Sequence, residues 1–120
     1  MVYEDLTYKI IGCCMEVHSK LGPGLLEACY HNGLYYELKK KGFKVDYNAP
    51  FTVHYDGHVV GEYFADLMVE ESIIVELKSI QAFSKAHLAQ VLNYLHISGC
   101  PVGLLVNFQG VNLEWKRILK

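Results

Sequence analysis

Asp66, Glu76 and Lys78 are the residues whose types and spacing could do chemistry. They lie in the run Phe-Ala-Asp-Leu-Met-Val-Glu-Glu-Ser-Ile-Ile-Val-Glu-Leu-Lys from 64 to 78, which reads as two apolar strands joined by a short polar turn. A loop over Glu70 to Ser72 pairs Val69 with Ile73, and that register sets Asp66 opposite Glu76 on one sheet face. Two carboxylates so close repel each other unless a proton or a cation sits between them. With Lys78 beside them, such a pair can hold a metal ion and activate a water. Taken alone, the alternation of Ile73, Val75 and Leu77 with Ile74, Glu76 and Lys78 also describes any one-sided antiparallel strand with a solvated charged face. The weight of the reading comes from the elements around it.

A chain of 120 residues is expected to form one domain, 1–120, with a single core and no separate substrate domain. It is 52% hydrophobic and 20% charged, a globular composition. No apolar run approaches the roughly 18 residues of a membrane span, and the N-terminus lacks a signal-peptide layout, so a cytoplasmic protein with no membrane partner is expected. The formal net charge of -2 argues against a protein that coats nucleic acid by bulk electrostatics, but leaves room for phosphate binding at a metal. Cys13, Cys14, Cys29 and Cys100 have neither C-x-x-C spacing nor histidines in zinc-ligand order, and read as small apolar residues rather than as a disulfide or zinc site.

Leu6, Ile10, Cys13, Val17 and Leu21 fall in a narrow arc at 100° per residue, which predicts an amphipathic helix over about 3–20, stopped at Gly22-Pro23. A second helix is predicted from about Gly24 to Lys41. In it Glu27, Tyr30, Leu34 and Leu38 share a stripe, so Glu27 is expected to face inward, where a carboxylate needs a partner. The competing reading is a first-turn glutamate favoured by the helix dipole and half-buried. Strands are predicted at 43–47 and 51–55, then at 58–69 after an Asp56-Gly57 turn, with a bend near Gly61. Ser84 should cap a helix to about Ser98 whose core face is Leu88, Val91, Leu92 and Leu95, while His87, Gln90 and Tyr94 line its edge. Strands at 102–108 and 113–119 complete the order.

These elements carry a resemblance. Gly24-Leu-Leu-Glu-Ala-Cys-Tyr30 resembles the signature of the bacterial GxxExxY proteins, a compact branch of the PD-(D/E)XK nuclease superfamily. Asp66, the triplet Glu76-Leu77-Lys78, and Gln90 with Tyr94 resemble that superfamily's Asp, Glu-x-Lys and Gln-x-x-x-Tyr motifs in order, with Ala65 where the superfamily name has proline. The resemblance implies an α/β (α+β) fold with a PD-(D/E)XK nuclease-like core, a central mixed sheet of four to five strands flanked by helices. It also implies that Glu27, Asp66, Glu76 and the main-chain carbonyl of Leu77 bind a divalent cation, and all-oxygen ligands suit Mg²⁺ or Mn²⁺.

In that setting Lys78 acts as electrostatic stabiliser or as base, Gln90 and Tyr94 orient it, the water or a phosphate, and His87 is a weaker phosphate contact. The expected activity is metal-dependent hydrolysis of phosphodiester bonds in nucleic acid, DNA ahead of RNA. The alternatives are a non-catalytic nucleic-acid-binding module that acts with partner proteins and a regulatory interaction protein with a vestigial site. A domain this small covers few phosphates, and a two-fold homodimer would present two sites to two strands.

Overall fold

The structure is a computed structural model that describes residues 3–120. Helices α1 (Glu4–Leu21) and α2 (Glu27–Lys40) precede strands β1 (Val45–Tyr55), β2 (His58–Val69) and β3 (Ile73–Lys78); helix α3 (Lys85–Ser98) and strands β4 (Val102–Asn107) and β5 (Glu114–Leu119) follow. The strands form one sheet in sequence order. β1–β2, β2–β3 and β4–β5 are antiparallel, whereas β3 and β4 run parallel. A parallel pair needs a crossover, and α3 is that crossover. The mixed five-stranded sheet with flanking helices is the α+β fold expected from the sequence.

Val69 pairs with Ile73, the register the Glu70–Ser72 loop predicts. Val75 and Leu77 turn to the core under α1 and α2, built with Ile10, Val17, Leu34, Leu38, Leu104 and Phe108. Ile74 turns to the core under α3, with Val91, Leu95 and Leu105. Both faces of β3 are therefore covered, and Glu76, which a one-sided strand would leave in water, is 2% exposed.

Three features differ from the sequence expectation by more than a residue or two. α2 begins at Glu27 rather than Gly24, because Gly24 has φ 94° and the Tyr30 hydroxyl secures the loop, accepting from the Leu25 amide at 3.1 Å and donating to the Gly22 carbonyl at 2.6 Å. β1 is one strand through Pro50 instead of two, since an edge strand can spare proline's missing donor. Leu92 is 46% exposed, so the core face of α3 is Val91, Tyr94 and Leu95 with Leu88 half-buried. The predicted bend near Gly61 appears as a register shift between Val53 and His54, opposite that glycine.

α3 lies close on β4, since a Cβ at Gly103 would stand 2.5 Å from Val91 Cγ1. A Gly103→Ala chain should lose about 1–3 kcal/mol to overpacking, read as a lower urea midpoint with unchanged slope. An unchanged midpoint would mean that α3 shifts freely, and its contribution to the site would then be loosely held.

Candidate functional site

The β2–β3 hairpin sets Asp66 and Glu76 side by side. The Asp66 amide donates to Glu76 Oε1 at 3.3 Å, and the Leu77 amide donates to Asp66 Oδ2 at 2.8 Å. Each carboxyl is thus tied to the backbone of the other strand. Burial pushes the Glu76 carboxyl up to about 9, helped by its hydrogen bond with Asp66 and by that neighbour's charge. A proton on Glu76 relieves the repulsion between the two acids.

Lys78 follows Glu76 by two residues and lies on the same strand face. Its Nζ donates to Gln90 Oε1 at 3.2 Å, so α3 and β3 meet at the lysine. Tyr94, one turn along α3, donates its hydroxyl to the Phe64 carbonyl at 3.1 Å, pinning β2 two residues before Asp66. Burial raises the Tyr94 phenol above its usual range, with Glu76 and Asp66 adding to the shift. Asp66, Glu76, Lys78, Gln90 and Tyr94 thus form one connected constellation.

Glu27 and His87 are placed otherwise. Glu27 is exposed at the first turn of α2, although Tyr30, Leu34 and Leu38 on the stripe it was grouped with are fully buried. The stripe reaches the core only after the first turn, and a first-turn carboxylate is favoured by the helix dipole while still in water. Among the described residues no group of three or more His, Cys, Asp or Glu side chains is gathered to hold a metal ion. The His87 ring is used in the α3 cap, where its Nδ1 accepts from the Ser84 amide at 2.9 Å while the Ser84 hydroxyl accepts from the His87 amide at 3.3 Å.

Two residues at the site carry no motif. His31 Nε2 lies 2.8 Å from the Asp66 carbonyl, one turn after Glu27 on α2. Asn107 pairs with Lys78 in the β3–β4 ladder, and its buried amide donates to the Ile80 carbonyl at 2.8 Å and accepts from the Ile80 amide at 3.1 Å. It fixes the chain as it leaves Lys78. For His31 the i, i+4 spacing from Glu27 was the readable signal, whereas nothing local marks Asn107, which acts through a strand 29 positions away.

A cavity of about 660 Å³ opens elsewhere, between α1 and α2, lined by Lys9, Cys13, Glu16, Glu37, Lys40 and Phe43 among others. None of the constellation lines it. Converging carboxyls beside a lysine are the stronger mark of chemistry, because a surface cleft needs no chemical function whereas burying the Glu76 carboxyl beside a second acid costs stability. Among the described residues no helix is long and apolar enough to cross a membrane.

No curated protein matches the chain significantly. Among solved structures it is similar to the crystal structure of SSO0001, with a TM-score of 0.65 at 19% identity; the match covers 98% of this chain and 60% of that one. At that identity the likeness speaks for the fold alone. The family model of the PD-(D/E)XK nuclease superfamily matches residues 4–118, nearly the whole chain, and the protein belongs to that superfamily.

Proposed function

We propose that this chain, acting as a single domain over 1–120, is a cytoplasmic metal-dependent nuclease that hydrolyses phosphodiester bonds in nucleic acid, DNA ahead of RNA. Within the superfamily we assign it to the GxxExxY proteins on the run from Gly24 to Tyr30. The observation that carries the reading is the Asp66–Glu76 carboxyl pair, each member tied to the backbone of the other strand beside Lys78, with Glu76 buried to 2% exposure. Carboxylate and carbonyl oxygens gathered at one point suit a hard cation, Mg²⁺ or Mn²⁺.

Asp66, Glu76 and the Leu77 carbonyl would hold the ion, with the exposed Glu27 carboxylate joining from α2. When bound, the ion supplies Lewis-acid polarisation of the phosphoryl oxygen and a more acidic water. Lys78 brings a positive charge to where negative charge builds on phosphorus, and Gln90 holds its ammonium from α3. Tyr94 fixes the strand that carries Asp66. The test is turnover of single-stranded, duplex and branched DNA and of RNA by the purified chain in Mg²⁺ and Mn²⁺.

One observation favours a second reading. With Glu27 apart from the carboxyl pair, a non-catalytic nucleic-acid module acting with partner proteins needs no third ligand. Tight binding in Ca²⁺ with no cleavage of any substrate would select it. Either way a two-fold homodimer would let one small domain reach two strands.

A further inference from the structure

The β1–β2 ladder has a gap at the acid. Tyr47 pairs with Leu67 and Ala49 pairs with Ala65, but Asn48 and Asp66 between them are unpaired. Asn48 has φ 50°, a left-handed conformation that interrupts the regular extended backbone opposite Asp66.

Side chains bind both backbone groups of Asp66. Glu76 Oε1 accepts from the Asp66 amide, and His31 stands 2.8 Å from the Asp66 carbonyl. A carbonyl only accepts, so His31 Nε2 carries the proton. The ring is itself held, because it stacks on Tyr47 with centroids 4.2 Å apart and planes 7° from parallel. Tyr47 in turn donates its hydroxyl to Asn32 Oδ1 at 2.6 Å, returning to the helix that carries His31. α2, β1 and β2 are joined at this one point.

We propose that His31 is a positioning residue that ties the Asp66 carbonyl to α2 and so holds Asp66, together with the α2 turn bearing Glu27, in place for binding a divalent cation. The inference rests on the nuclease reading for its metal, and not on cleavage. Glu27 and His31 are spaced i, i+4, so the bond that fixes His31 also fixes where the Glu27 carboxylate starts from. Without it the first turns of α2 lose their direct tie to the Asp66 backbone, although the core residues Leu34 and Leu38 still hold the helix. Groups that orient metal ligands in this way typically change affinity by about 10–100-fold when removed.

The experiment is calorimetric titration of Mn²⁺ into wild type, His31→Leu, His31→Gln and Asp66→Asn chains, with the metal-free melting temperature and far-ultraviolet circular dichroism of each. Leucine keeps the bulk and loses the donor, whereas glutamine offers an amide N–H at similar reach. The expected result is about 10-fold weaker Mn²⁺ binding by His31→Leu, recovery to within about 3-fold of wild type by His31→Gln, and native dichroism in both. Wild-type affinity in His31→Leu, or equal weakness in His31→Gln, would overturn the positioning role while leaving the nuclease reading intact. Mn²⁺ binding absent from wild type, or undiminished in Asp66→Asn, would overturn the metal site and this inference with it.

Discussion

Replacing Lys78 by alanine is expected to lower cleavage by about 10²-fold or more while Mn²⁺ affinity stays within a few-fold of wild type. The lysine offers no ligand to a cation, since an ammonium is a donor only. Its like charge beside the acid pair opposes cation entry, so its loss leaves affinity unchanged or raised. In the proposed reaction it would act where charge develops, in the transition state, and a group of that kind is read in the rate and not in ground-state binding. The structure supports this division, because the ammonium is held by Gln90 and not by either carboxylate. Turnover and Mn²⁺ titration of identically purified wild type and Lys78→Ala provide the two readouts. Cleavage by the variant at the wild-type rate would trace the activity to a contaminant or to another site.

The acid pair was legible because strand register is local. A three-residue loop fixes which residues face each other, and the alternation of β3 then puts Glu76 and Lys78 on one side. The depth of Glu76 was not legible, because the covering of both sheet faces is decided by α3, a crossover that the hairpin's own sequence does not encode. Glu27 misled for a related reason: helical periodicity assigns a side chain to a stripe, but not to the turn at which the helix reaches its core. The resemblance to the GxxExxY signature named Glu27, and the fold puts it one turn from the His31–Asp66 bond without gathering it into the acid pair. His87 was read as a phosphate contact on its helical face, although Ser84 three residues earlier is the first half of a capping box. The backbone irregularity opposite Asp66 is the left-handed conformation of Asn48. Asparagine tolerates that conformation without requiring it, so the sequence leaves it open.

Adding 10 mM Mg²⁺ should stabilise the fold by about 1.4 kcal/mol if the site binds with a dissociation constant of about 1 mM. That is a rise of about 4–6 °C in melting temperature for a chain of this size. The gain should depend on pH in a stated direction. The Glu76 carboxyl is pushed up from 4.5 to about 9 in the folded chain, so the folded state binds its proton more tightly than the unfolded state. Its contribution to metal-free stability is therefore fully present below about pH 4.5 and is lost as pH rises toward about 9. Cation binding must displace that proton, so the Mg²⁺ gain should be larger at pH 8.5 than at pH 6. Glu76→Gln mimics the protonated acid, because its amide can donate to Asp66 and cannot ionise. This variant should melt at or above the wild-type temperature in metal-free buffer at pH 8.5, with a flatter pH profile and almost no Mg²⁺ response. Asp66→Asn should also lose most of the Mg²⁺ gain. Melting curves of the three chains at both pH values, with and without Mg²⁺, decide the matter. An undiminished Mg²⁺ shift in either variant would place the ion away from the Asp66–Glu76 pair.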